Sequence, residues 1–184
     1  MDLDKAIKSR ESVRKFKGKQ PDWRDILECI DAVRYAPIAG KNFTMRFIVI
    51  SDKEKIEKIA EASQQNFFSN VYYLVVVISN SERLVNEFGE RGKIYSRQQA
   101  GAAIQNFLLK VEEKGLSTCW VGHFVEKQIK EALSIPPEFD VEAFFPIGYK
   151  LIGERKKKRI DMDEVLYFEK HGNKKMRDVP RFDV

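Results

Sequence analysis

The sequence predicts an α+β or α/β chain arranged round one sheet. Three observations carry this. Short apolar runs rich in β-branched residues read as strands, amphipathic stretches read as helices, and the two kinds are interleaved along the chain. With 184 residues, 43% hydrophobic and 33% charged, the chain has globular composition and enough length to bury one core.

The elements follow in order. A first helix is expected over residues 4–9 with Ile7 inward. A second is expected over 23–35, where Ile26, Leu27, Ile30 and Val33 recur at helical spacing, Asp22 can cap the start and Pro37 stops the end. Residues 46–50 (Arg-Phe-Ile-Val-Ile) predict a strand, and 52–62 a charged amphipathic helix. The apolar run 74–78 suits a central strand covered on both faces. The strongest helix is predicted over 97–113, with Ala100, Ala103, Ile104, Phe107, Leu108 and Val111 as a broad apolar stripe and Gly115 as its stop. A third apolar piece covers 118–121, a short helix 126–133 is broken by Pro136-Pro137, a strand is expected over 142–149, and a last one over 165–168. We read residues 1–184 as a single domain, with 169–184 as a polar, basic C-terminal tail that needs a partner surface.

Composition removes several function classes. No apolar run approaches the roughly 18 residues of a membrane helix, and the polar start Met1-Asp2-Leu3-Asp4-Lys5 lacks the apolar centre of a signal peptide. A cytoplasmic location is the expectation. There, Cys29 and Cys119 are expected as two buried thiols rather than one disulfide. His123 and His171 are too isolated to predict a metal site. The net charge of +5 comes largely from Arg155-Lys156-Lys157-Lys158-Arg159, a solvated face or a nucleic-acid footprint if read alone. The acidic residues are spread throughout, so no continuous basic surface follows, and no nucleic-acid or membrane partner is predicted. There is no GxGxxG after a strand, no HExxH and no GxSxG, and Gly89-Glu90-Arg91-Gly92-Lys93 has the wrong spacing for a P-loop.

Four segments remain. Arg10-Glu11-Ser12-Val13-Arg14-Lys15-Phe16 offers two guanidinium groups and a hydroxyl, able to grip a phosphate and a polyol, or equally to pair with surface carboxylates. Ala36-Pro37-Ile38-Ala39-Gly40-Lys41-Asn42 has small residues that let backbone approach a flat ligand, though an ordinary helix-to-strand loop would look similar. Gly101 to Leu109 is a core-type helix in which Gln105 and Asn106 need hydrogen-bond partners, and it precedes Gly115 to Gly122. Ala143-Phe144-Phe145-Pro146-Ile147-Gly148-Tyr149 comes before the basic run.

Each motif is weak alone, but the ordered set is specific. Arg-x-Ser-x-Arg-x-Phe, Ala-Pro-x-Ala-Gly, Gly-Ala-Ala-Ile-Gln-Asn-Phe-Leu-Leu, Cys-Trp-Val-Gly, Pro-Ile-Gly-Tyr and a late Lys-x-Arg together resemble the FMN-dependent nitroreductase family. That resemblance implies an α+β three-layer fold, with a central, mostly antiparallel sheet flanked by helices, in an interlocked homodimer. It implies FMN held by Arg10 and Ser12 at the phosphate and ribityl chain and by Arg14 at the N1/O2 edge. Ile38, Ala39, Lys41 and Asn42 would reach the flavin from the partner subunit. Trp120, Val121 and Gly122 would line the other side of the ring, Lys157 and Arg159 would return to the phosphate, and Gln64 would make a polar ring contact. The implied reaction is ping-pong transfer from NAD(P)H through FMN to a nitroaromatic, quinone or similar small acceptor, with no side chain named as catalytic.

One departure from the family pattern bears on the acceptor. Where many relatives read Asn-x-Gln-Pro-Trp, this chain has Lys41-Asn42-Phe43-Thr44-Met45. Other readings are a relative that fragments its own flavin or dehalogenates an aromatic substrate, and a non-enzymatic basic binding or scaffold protein that keeps the fold.

Overall fold

The computed structural model describes residues 1–151 and 160–177. The chain divides into two units, Met1–Ile152 and Gly153–Val184.

In the first unit a three-stranded antiparallel sheet runs in the order β1 (Met45–Ile50), β2 (Tyr73–Ser79), β3 (Asp140–Ile147). β2 is buried along its whole length, as its unbroken apolar sequence requires. Its side chains alternate between two cores. Tyr73, Val75 and Val77 face the helices α2 (Trp23–Asp31) and α5 (Arg91–Glu113), together with Ile26, Ile104 and Phe107. Leu74, Val76 and Ile78 face α3 (Lys53–Ser63) and α6 (Glu126–Leu133), together with Ile56, Ile59 and Ile129. The expected three layers, α+β class and antiparallel sheet are therefore present. Between Val77 and Ile78 the register with β3 slips, leaving Glu142 unpaired in the ladder, where it accepts a 2.6 Å hydrogen bond from Ser79 Oγ.

Local chemistry sets the helix ends. Asp22 and Asp52 accept from Arg24 N and Lys55 N at the starts of α2 and α3. Gly115, at φ +69°, closes α5 through Gly115 N to Glu112 O and Leu116 N to Val111 O. The expected stripe on α5 is buried from Ala100 to Val111.

Several expectations are corrected. The helix expected over 23–35 is α only to Asp31, and Ala32–Tyr35 tightens into a 3₁₀ turn before Pro37. Helix α1 (Leu3–Ser9) buries Ala6, while Ile7 is 49% exposed, so the inward residue is Ala6. α5 starts at Arg91 rather than 97, preceded by a helix not foreseen, α4 (Glu82–Phe88). Gly89 (φ +61°) turns between them, and Gly92 sits against the Leu84 and Val85 backbone, where a Cβ would collide. The P-loop-like glycines thus serve a close helix crossing.

Residues 117–121 form isolated bridges rather than a ladder: Ser117 with Gly148 and Val121 with Phe144. Asn106 finds a partner in Ala32 O, whereas Gln105 is exposed. Cys29 and Cys119 are buried free thiols. In the second unit the strand expected over 165–168 is absent. Asp161 instead caps a one-turn helix, α7 (Met162–Val165), by accepting from Asp163 N. No helix among the described residues is long and apolar enough to cross a membrane.

Candidate functional site

The predicted site residues fall into two groups. The first is built by the arm that follows α1. Arg10 N closes that helix on Ala6 O, and the chain then runs extended, with Ser12 bridged to Thr118 and Val13 N donating to Thr118 O at 2.9 Å. On its other side Lys17 N donates to Tyr149 O and Leu151 N to Lys15 O, at 2.8 and 2.9 Å. Val13 is buried while Ser12 and Arg14 are exposed, the alternation expected of an edge segment. Phe16 lies on Gly148, where an added Cβ would come within 2.8 Å of the ring. The packing of Phe16 thus explains the glycine of Pro-Ile-Gly-Tyr.

This arrangement gathers Arg10, Ser12 and Arg14 round Cys119. The Cys119 thiol is pushed up by burial, and the effect is opposed by the charge of Arg14, a hydrogen bond from Ser12 and the charge of Arg10. Thr118 is buried, and its Oγ1 has no hydrogen-bond partner among the described residues. A buried hydroxyl left unmatched costs about 1–3 kcal/mol. Arg14 pairs with no carboxylate among the described residues, while Glu11 is held by Lys150 at 2.8 Å.

Trp120 is 42% exposed and rests edge-on against Phe145, with centroids 5.6 Å apart. Val121 exchanges both backbone hydrogen bonds with Phe144, at 3.0 and 3.1 Å, which fixes the Trp120–Gly122 backbone to β3. Gly122 has ordinary room for a side chain. Gln64 caps α3 in the left-handed region (φ 55°) and is exposed. Beside it Gln65 Nε2 reaches His123 O at 3.5 Å, and Val125 N donates to Ala62 O, so the end of α3 adjoins the segment after Gly122.

The second group lies elsewhere. Ala39–Lys41 makes a 3₁₀ turn in which Gly40 and Lys41 both have positive φ, 54° and 56°. Asn42 N closes it on Ala39 O, and Asn42 Nδ2 donates to Glu87 Oε2 at 3.0 Å. A Cβ on Gly40 would come within 2.5 Å of that same carboxylate. Ile38 is left on the surface. Just beyond, Ser96 Oγ and Gln99 Nε2 both donate to Thr44 Oγ1 (3.1 and 2.9 Å) and fix the loop to α5.

The loop enters β1 at Met45, paired with Ser79 and through it with the Asp140 end of β3. The arm group attaches to β3 at Phe144 and Gly148, on the opposite sheet edge and towards the opposite end. Two strand spacings of about 4.8 Å separate the edges alone. One chain therefore does not bring the two groups together. Lys157 and Arg159 lie outside the described residues.

Two site features were missed from sequence: the Thr118 hydroxyl and Glu87. The adjacent hydroxyls Ser117-Thr118 inside an apolar stretch were the available signal for the first. Nothing local marked Glu87. Depressions of about 620 Å³ along α6 and about 400 Å³ between α1 and α5 contain none of the predicted residues. No cluster of metal-ligating side chains occurs among the described residues. Two cations, a hydroxyl and an exposed indole suit a flat ligand with hydroxyl and anionic groups.

The sequence profile of the nitroreductase family matches residues 7–91 and 73–149. A nitroreductase family protein from Clostridium novyi NT superimposes with a TM-score of 0.75 at 30% identity, covering 94% of this chain and 96% of that one. An FMN-dependent nitroreductase from Clostridium difficile R20291 superimposes with a TM-score of 0.74 at 26% identity, covering 90% and 98%. The iodotyrosine deiodinase of Thermotoga neapolitana is 25% identical over 158 residues, covering 77% of this chain and 85% of that protein. With the profile spanning most of its length, this chain belongs to the nitroreductase family.

Proposed function

We propose that the protein is an FMN-dependent oxidoreductase that passes electrons from NAD(P)H to a small acceptor, such as a nitroaromatic or a quinone, as a cytoplasmic homodimer. One observation carries the reading: the expected flavin residues are divided between opposite edges of the sheet, with Ser12, Arg14 and Trp120 exposed at one and Ile38 and Lys41 at the other. A second copy of the chain that brings its Ile38–Asn42 loop to the first copy's arm would complete two equivalent sites, as two-fold symmetry requires. Such a dimer would bury about 2,000 Å² or more. It would also cover exposed apolar side chains such as Ile7, Leu27 and Tyr35.

When bound, FMN supplies the two-electron chemistry, taking electrons from the nicotinamide and releasing them to the acceptor. The protein's part is binding and electrostatics. Arg10 balances the phosphate, and Ser12 meets neutral donors and acceptors of the ligand. Arg14 stands at the N1/O2 edge, where its charge favours negative charge on the ring by Coulomb attraction. Trp120, Val121 and Gly122 cover one side of the ring, and Gln64 contacts its edge. Ile38, Ala39, Lys41 and Asn42 of the second copy close the other side. We assign no acid or base.

The test is the absorbance spectrum of the purified protein, followed by anaerobic titration with NADH and NADPH. Flavin bands that bleach on titration support the proposal. A colourless protein that binds no added FMN contradicts it. Similarity to the Thermotoga deiodinase favours a second reading, reductive dehalogenation of a halogenated aromatic. Halide release by the pre-reduced protein, exceeding its turnover of nitroaromatics and quinones, would select that reading.

A further inference from the structure

The corner between α4 and α5 carries an aromatic and cationic cluster to which no role has been given. Phe88 and Tyr95 meet edge to face, with centroids 5.4 Å apart at 80°. Arg91 lies over the Tyr95 ring at 5.5 Å and donates Nε–H to its hydroxyl at 3.0 Å. This uses one edge of the guanidinium and leaves the terminal amino groups, the fork that receives a carboxylate in parallel hydrogen bonds. The neighbouring acids are engaged elsewhere: Glu90 with Lys93 at 3.1 Å, and Glu87 with Asn42 at 3.0 Å. Among the described residues, no carboxylate pairs with Arg91. Phe88 and Ile94 are 38% and 49% exposed, so the cluster presents an apolar surface beside a fixed positive charge.

The corner is also tied to the loop group. Glu87, which holds Asn42 and packs against Gly40, immediately precedes Phe88. Close packing at Gly92 sets α4 against α5 and so fixes the corner relative to the loop. The corner therefore begins one residue after the side chain that touches the Ile38–Asn42 loop.

We propose that Phe88, Arg91 and Tyr95 form the outer wall of the acceptor pocket and select acceptors bearing a carboxylate on an aromatic ring. The inference rests on the reading that the Ile38–Asn42 loop lies at the flavin. The ring packs against the Phe88 and Tyr95 surfaces, and the carboxylate pairs with the Arg91 fork. A nucleotide phosphate carries the same negative charge as the carboxylate, so the experiment includes that arm.

The FMN-loaded protein is titrated with benzoate and with its neutral counterpart benzamide, neither of which is reducible, while perturbation of flavin absorbance is followed. Turnover of 4-nitrobenzoate and 4-nitrobenzamide is compared in parallel. The wild type binds benzoate the more tightly. Arg91→Ala weakens benzoate relative to benzamide tenfold or more and lowers kcat/KM for nitrobenzoate relative to nitrobenzamide by a similar factor. Arg91→Lys recovers part of both. Equal binding of benzoate and benzamide by the wild type overturns the inference, as does an Arg91→Ala change confined to the NADPH-to-NADH ratio. A protein that takes up no FMN overturns this inference and the proposed function together. A loaded protein indifferent to the charge on the ring overturns this inference alone.

Discussion

The arm group and the loop group are both short irregular segments beside a sheet edge, yet they are held by opposite means. The arm is stitched by backbone: Val13 to Thr118, Lys17 to Tyr149, Leu151 to Lys15. Ser12 and Arg14 stay exposed, and Thr118 beside them retains an unmatched hydroxyl among the described residues. The loop is held mainly by side chains, Asn42 on Glu87 and Thr44 under Ser96 and Gln99, and its backbone takes two successive positive-φ residues. The arm is organised for charge and hydrogen bonding, whereas the loop is organised for shape. On the proposed reading, one copy would grip the ligand and the other would close over it.

The contrast can be broken at several points. The largest effect is expected at the charged side. Arg10→Ala should weaken FMN binding by about 1.5–3 kcal/mol, roughly one to two decades, with a much smaller effect on the melting temperature. Arg159→Ala should do the same if the basic run returns to the phosphate. Fluorescence titration with FMN measures both, and unchanged affinity in the pair would reduce these cations to surface charges.

At the shape side the effect should appear in stability. Gly40→Ala puts a Cβ into the left-handed region, at a cost of about 1–2 kcal/mol, and displaces the Glu87 carboxylate that holds Asn42. Denaturant unfolding of the FMN-free protein should show that loss. A melt like the wild type's would mean the loop is loosely held and its shape unimportant.

Thr118→Val replaces the unmatched hydroxyl by a methyl and should stabilise the FMN-free protein by up to about 1 kcal/mol. Denaturant unfolding measures this, and a loss of stability would mean the hydroxyl has a partner within the protein.

The smallest effect is electronic. Arg14→Ala should lower the reduction potential of the bound flavin, because the reduced, negatively charged ring loses more than the oxidised one. A differential of about 1.4 kcal/mol corresponds to roughly 30 mV for two electrons. Arg10→Ala should shift it far less, since phosphate charge does not change with redox state. Dye-equilibrated potentials of the FMN-saturated variants decide this, and equal shifts would assign Arg14 to the phosphate.

How much of this could be read in advance differed between the same regions. β2 was legible because an all-apolar run of its length has few alternatives, α2 because Asp22 marks its start, and α3 because of its charged amphipathic pattern. The Arg10–Arg14 arm was legible as chemistry, though not as geometry. Its bridge to Thr118 joins residues more than a hundred positions apart, a pairing that no local pattern encodes. α4 was missed because Glu82–Phe88 buries only Leu84 and is too short to hold alone. Its stability comes from packing on α5 across Gly92. The strand expected over 165–168 rested on β-branched and aromatic composition, and an Asp161 cap prevailed over that preference. Ile7 and Leu27 lie on helices whose apolar stripe is wider than one chain covers. Periodicity identified the stripe without showing how much of it this chain buries.

Subunit complementation tests the shared site most directly. One variant carries Arg10→Ala and Ser12→Ala, disabling the arm. A second carries Gly40→Ala and Asn42→Ala, disabling the loop. Each alone should bind FMN poorly. Unfolded together in equal amounts and refolded, they should recover wild-type affinity in about a quarter of the chains, because half the dimers are mixed and each mixed dimer holds one intact site. If the mixture binds no more FMN than the separate variants while both remain dimeric, the site lies within one chain and the account is wrong.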